Sequence, residues 1–345
     1  MKALTLTAIG GLDQLRIQDL PRPTLSNPDD VLVRLHAAAL NRLDLWVIGG
    51  LPGLRYTFPH IPGADGAGVV EATGPAVQGL AVGERVLLNP GRSCGHCEWC
   101  LAGEQPLCPG FGVLGEHHPG TLAQYLVVPA RNLARVPERM SWAAAAGFTL
   151  ATLTAWRMLI TRARLAPGEL VLIWGIGGGV SQAALRIARH AGARVVVTSG
   201  AEAKLAHARE LGAEHGINHS TSDVVAVVKA LTGRRGVDVV VDSVGERTWE
   251  QSLRCLARGG RLVTCGATTG PMVTTDVRKL FWYQWSLLGS TMGSDAEFRA
   301  IMRLAAAGEL WPEVDTVVPL DQAVAGFRRL EAGVQLGKVV VDLSG

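Results

Sequence analysis

Residues 170–185 read LVLIWGIGGGVSQAAL, and the fold class turns on them. The opening run is apolar without interruption, as expected of a strand buried on both faces. Gly175, Gly177, Gly178 and Gly179 follow. Beyond them Ala184, Ile187, Ala188 and Ala191 recur at helical spacing, and Gly192 stops the pattern. Glycines between a strand and a helix allow a tight turn and a close approach of backbone to a pyrophosphate, whose charge the helix N-terminus favours. These four glycines and Val180 are therefore candidate cofactor-binding residues. A turn of purely structural use is the competing reading.

Working outward, the pattern repeats. RVVVTS (194–199) is a second strand and KLAHARELGA (204–213) a second helix. VDVVVDSVG (237–245) and GGRLVTCG (259–266) continue the series. Strands alternating with helices predict a parallel, doubly wound α/β sheet. The second strand bears on the nucleotide. A carboxylate near its end would bond the 2′-hydroxyl of an NAD ribose. Here the strand ends in TSGAEAK, with Ser199 and Gly200 at that place and Lys204 beyond. A missing acid and a nearby cation point to NADP(H). Glu202 on the ribose, with Lys204 a solvated helix residue, is the alternative.

The first 140 residues differ in texture. VLVRLHAAAL, GAGVVEATG, ERVLLNP and AQYLVVPA are short β-branched runs closed by Gly and Pro, which predict a β-rich domain. SWAAAAGFTLATLTAWRMLITRA, from residue 141, has helical composition. Within the β-rich half, NPGRSCGHCEWCLAGEQPLCPGFG (89–112) places Cys94, Cys97, Cys100 and Cys108 at C-x2-C-x2-C-x7-C spacing, a metal-site pattern. Four thiolates complete a tetrahedral zinc. An iron–sulfur cluster is the rival, but ferredoxins of that pattern have a shorter last gap. Disulfides or idle thiols are the remaining alternative.

The chain has 345 residues, enough for two domains, with 48% hydrophobic and 18% charged residues. A net charge of +3 from scattered arginines argues against nucleic acid or an anionic membrane as partner. The N-terminus lacks the apolar core of a signal peptide, and no charge-free run of about 18 apolar residues predicts a membrane span. Cys255 and Cys265 lie in apolar surroundings and read as buried thiols. Thiols held reduced suggest the cytoplasm.

PHIPGADGAGVVEATGPAVQGLAVGERV, GTLAQYLVVP, the Gly-rich turn, VVVDSVG and GKVVVDL, taken in order with the four-cysteine loop, resemble the zinc-containing medium-chain dehydrogenase/reductase superfamily over essentially the whole chain. Within it the chain looks closest to quinone oxidoreductase-like and alcohol dehydrogenase-like members. The resemblance implies a GroES-like catalytic domain over 1–153, with a structural-zinc loop at 89–112. A Rossmann cofactor domain over 154–293 and a C-terminal return to the first domain over 294–345 would follow. One structural zinc per chain on the four cysteines is implied, and a homodimer or homotetramer assembled through an edge strand such as WSLLGSTM (285–292).

Alcohol dehydrogenases of this family also carry a second, catalytic zinc. Its three ligand positions fall here on Asn41, Ala64 and Leu150. Alanine and leucine offer no donor atom, and an amide alone does not hold Zn2+. Asp44 and Asp65 lie nearby in sequence and are expected to be hydrogen-bonded or paired with an arginine. Without a Lewis acid, unactivated alcohol oxidation loses its alkoxide stabiliser, whereas hydride addition to a conjugated C=C needs only hydrogen-bond donors for the enolate. The expected function is therefore an NADP(H)-dependent reductase of quinones, enones or enoyl substrates. A zinc-type alcohol dehydrogenase or carbonyl reductase is the second reading, and a non-enzymatic cofactor-binding protein the third.

By the same resemblance Asn41 would lie beside the nicotinamide ribose, with a turn or cap residue as its plain alternative. Asp44 and Trp46 would complete the catalytic candidates, Trp46 as a pocket wall with Leu51, Tyr56 and Trp282. Thr154 would pack on the nicotinamide and His219 stand near the adenosine phosphate. Ser243, Gly266 and Thr268 end Rossmann strands, where ligands bind. Lys338 would reach the cofactor from the C-terminal segment. His117 and His118, as strand neighbours, would point to opposite faces.

Overall fold

A computed structural model describes all residues, 1–345. The chain divides into two compact units, Met1–Ala151 with Gly293–Gly345, and Thr152–Met292.

The second unit is built on six strands, all parallel. Across the sheet they run His215–Asn218, Arg194–Ser199, Leu170–Ile173, Val237–Val241, Leu256–Thr264 and Ser286–Gly289. The strand that opens this unit thus lies in the interior, with later strands added to either side. That order creates the crevice at the strands' carboxyl ends where dinucleotides bind. Leu172, Val196, Val240 and Leu262 are buried in one core with Val228 and Leu253 from the helices. Helix Gly179–His190 starts directly after the Gly-rich turn, and its buried face carries Ala184, Leu185, Ile187 and Ala188.

The first unit holds a seven-stranded sheet that is antiparallel except where Val314–Pro319 pairs with Lys338–Asp342. Strand Asp30–Ala39 is its hub, pairing with Asp65–Thr73, Tyr125–Pro129 and Lys338–Asp342. Alternate residues of the hub, Val31, Val33 and Leu35, are buried with Val70, Val86, Leu88, Val128, Val341 and Phe327. Gly68 sits where the hub passes closest, since a Cβ there would lie 2.2 Å from the Arg34 carbonyl oxygen.

Helix Trp142–Trp156 continues as a π-helical turn, Arg157–Arg162. This 21-residue stretch is long and apolar enough to cross a membrane, but 83% of its apolar window is buried inside the protein, as in a core helix.

Candidate active site and metal centre

The register of the hub strand assembles the first cluster. Ala39 pairs with Asp65 on one side and with Val340 on the other. Two steps further along the second register, Lys338 faces Asn41, the residue that begins helix Arg42–Gly49. Residues 297 positions apart in sequence are thereby brought together.

The result is a buried polar cluster. The Lys338 ammonium donates to Asn41 Oδ1 at 2.5 Å and to Asp65 Oδ2 at 3.0 Å. The Asn41 amide nitrogen donates to Asp65 Oδ2 at 3.0 Å and to the Ala39 carbonyl at 3.2 Å. The other Asp65 oxygen accepts the Leu150 backbone N–H at 2.8 Å. Asp44 accepts the backbone N–H groups of Asn41 at 2.7 Å and Gly63 at 3.2 Å. Lys338 is 3% exposed and Asp65 fully buried. The Lys338 stem packs against helix Trp142–Trp156, where a Cβ on Gly147 would meet its Cγ at 3.1 Å. Burial drives the Asp44 carboxyl up to about 7, against the pull of the Asn41 N–H and the Lys338 charge. The neighbouring Asp65 carboxylate pushes it the same way as burial.

Asp44 and Asp65 are hydrogen-bonded, one of the two arrangements expected of them. The ion pair of Asp65 is with a lysine rather than an arginine, because strand Lys338–Asp342 lies beside the hub. Lys338, expected to reach the cofactor, points its ammonium at Asn41 and Asp65. Both amide hydrogens of Asn41 are engaged by Ala39 and Asp65. Asn41 also caps helix Arg42–Gly49, with Asp44 returning a bond to its N–H. Trp46 is half-buried on that helix, Leu51 and Tyr56 follow it in the chain, and Trp282 is 67% exposed in the other unit. The part that sequence reasoning missed is backbone: the N–H groups of Gly63 and Leu150 leave no side-chain signature.

The second cluster is the cysteine loop. The sulfurs of Cys94, Cys97, Cys100 and Cys108 all lie within 4.8 Å of one another. Cys94 stands 3.8 Å from Cys100 and 3.5 Å from Cys108, sulfur to sulfur. Four sulfurs at about 2.3 Å from a tetrahedral Zn2+ would be spaced about 3.8 Å apart, so the loop fits the ion. Backbone N–H groups of Gly95 and Cys97 already point at sulfurs, at 3.3 and 3.4 Å. The backbone N–H groups of His96 and Cys97 hold the Cys94 thiol down at about 6. His96 turns away and bonds the Cys94 carbonyl through Nδ1 at 3.0 Å. By contrast Cys255 and Cys265 are driven up to about 12 by burial. His117 lies on a turn and His118 on an isolated bridge to Leu114, so strand alternation does not separate them. A Cβ on Gly112 would meet His117 Cβ and His118 Nε2, each at 2.9 Å.

In the second unit the Gly-rich turn carries Gly175 at φ 69°, a conformation that favours glycine. Gly178 caps helix Gly179–His190, and Val180 lies in its first turn. Lys204 lies over this turn, its Nζ 2.7 Å from where a Cβ on Gly177 would be. Ser199 closes the neighbouring strand by accepting the Ala201 N–H at 3.1 Å. His219 follows the third strand and donates its N–H to the Ser199 carbonyl at 3.1 Å. Glu202 accepts from the Asn218 amide at 2.7 Å. Ser243 offers its carbonyl to the Thr268 N–H and hydroxyl, and Gly266 is held by Thr264. Thr154 is buried, its hydroxyl 3.7 Å from the Met292 sulfur.

A doubly wound sheet with a Gly-rich phosphate turn, in one chain with a β-rich unit carrying a four-cysteine zinc loop, defines a nicotinamide-dependent oxidoreductase of the medium-chain type. Comparison with known proteins narrows this. Residues 27–138 match the alcohol dehydrogenase GroES-like domain, and residues 179–307 match the zinc-binding dehydrogenase domain. A zinc-type alcohol dehydrogenase-like protein of Schizosaccharomyces pombe is 34% identical over 97% of both chains. An NAD-dependent alcohol dehydrogenase of Saccharolobus solfataricus is 29% identical over 99% of both. A solved NAD-dependent alcohol dehydrogenase superposes with a TM-score of 0.95 at 45% identity, covering 99% of each chain. The chain belongs to the zinc-binding medium-chain alcohol dehydrogenase family.

These relatives overturn the expected function. An NADP(H)-dependent reductase of activated C=C bonds was inferred from the missing metal ligands and from the absent acid after Ser199. These full-length relatives are named as alcohol dehydrogenases or alcohol dehydrogenase-like, and those whose cofactor is named are NAD-dependent. The error lay in treating a loss of metal donors as a change of reaction.

Proposed function

We propose that this protein is an NAD-dependent alcohol dehydrogenase that interconverts a small alcohol and its carbonyl compound, with one structural zinc and without a catalytic one. The likeness at 45% identity over 99% of both chains to a solved NAD-dependent alcohol dehydrogenase carries the reading. The dinucleotide, when bound, supplies the hydride acceptor. The chain's own residues do the rest. The N–H groups at the start of helix Gly179–His190 and the Lys204 ammonium would hold the pyrophosphate. Glu202, oriented by Asn218, would take the ribose hydroxyl, which replaces the NADP reading of Lys204. The four cysteines hold the zinc loop without an open coordination position, so that metal takes no part in hydride transfer.

The expected assembly is a cytoplasmic homodimer or homotetramer formed through strand Ser286–Gly289, which ends the six-stranded sheet. The direct test is NADH formation at 340 nm across primary and secondary alcohols, with NAD+ and NADP+ compared. Alcohol turnover with NAD+ favoured by about tenfold or more is expected, since a carboxylate repels a 2′-phosphate. Turnover confined to NADPH and conjugated enones would refute the reading.

A further inference from the structure

The family implies a catalytic zinc, and the residues here do not fit one. The three positions that would ligate it converge in the structure, all on Asp65. Asn41 bonds its carboxylate by side chain, Leu150 bonds it by backbone, and Ala64 precedes it in the chain. Two of the three carry no side-chain donor atom. The one group of three or more His, Cys, Asp or Glu placed to share an ion is the four-cysteine loop. The oxygens that remain are already taken. Asn41 Oδ1 and Asp65 Oδ2 accept from Lys338, Asp65 Oδ1 from Leu150, and both Asp44 oxygens from backbone N–H groups.

A divalent ion entering here would face donor hydrogens aimed at each oxygen and a fixed ammonium among them. Like charges at such separations in a dry interior repel strongly. The cluster does contain a cation, held by strand pairing on one side and by the close pass of Gly147 on the other.

We infer that this site takes no catalytic metal and that the Lys338 ammonium, fixed between Asn41 and Asp65, is its resident cation. Lys338 is a positioning residue in this account: it orients the Asn41 amide and neutralises Asp65. The inference rests on the donor set alone.

The test is the metal content of the wild-type protein purified without added metal, followed by Co2+ exchange and absorption spectroscopy. About one zinc per chain and a thiolate-only cobalt spectrum are expected from a closed four-cysteine site. Two metals per chain, or a second cobalt band set from nitrogen and oxygen ligands, would overturn the inference. The measurement needs no variant and no substrate, so its outcome is independent of the proposed dehydrogenase activity.

Discussion

Asp65→Asn tests the buried cluster most sharply. The substitution keeps the shape of the side chain and leaves an oxygen for the Leu150 N–H. It removes the charge beside the Lys338 ammonium and turns an amide toward two donors, Lys338 Nζ and Asn41 Nδ2. Breaking a buried ion pair from one side costs about 3–5 kcal/mol, because the surviving charge stays desolvated. Relieved of the Asp65 charge that helps hold its proton on, Asp44 ionises more readily and offsets part of the Lys338 charge, which places the expected loss at the lower end. For a unit of about 200 residues, each kcal/mol moves the melting temperature by about 2–4 °C. A drop on the order of 10 °C is therefore expected by differential scanning calorimetry. Adding Lys338→Met should return most of it, since replacing both partners of a buried pair is often neutral. A melting temperature within about 2 °C of wild type for Asp65→Asn, or strictly additive losses in the double variant, would refute the reasoning.

Two further outcomes follow from the same structure. The Asp44 carboxyl, raised to about 7 from its ordinary 3.8, binds a proton in the folded state over a range where the unfolded chain has released it. Its contribution is present in full below the unfolded value and is lost as pH rises through the folded one, a fall of about 4 kcal/mol between roughly pH 4 and 7. Asp44→Asn should flatten that slope in urea unfolding curves recorded across the range; an unchanged slope would show that another group causes it. Cys97→Ser should release zinc and lower thermal stability or disturb assembly, read by elemental analysis and melting. A folded variant that lost zinc and turnover but kept its stability would show that this metal takes part in the reaction.

Much of the fold was legible before any coordinates. Val, Leu and Ile runs alternating with helical patterns imply a parallel sheet, because strands covered on both faces carry no polar alternation. The spacing of Cys94, Cys97, Cys100 and Cys108 announced a closed metal loop, since a short segment must supply every ligand. The glycines at 175–179 marked the phosphate turn. The absence of donors at Ala64 and Leu150 was equally plain.

What sequence could not decide was what stands in their place. Lys338 reads as one lysine opening a short apolar strand. Only the antiparallel register of Lys338–Asp342 against Asp30–Ala39 sets it opposite Asn41, and only backbone N–H groups at Gly63 and Leu150 complete the cluster. Local pattern encodes which face of a strand is buried, because period and hydrophobicity are properties of neighbours in the chain. A salt bridge across 273 residues is a property of sheet order and register, which the tertiary fold alone sets. The missing ligands were therefore readable from sequence, whereas the cation at the centre of the site emerged only when the sheet was assembled.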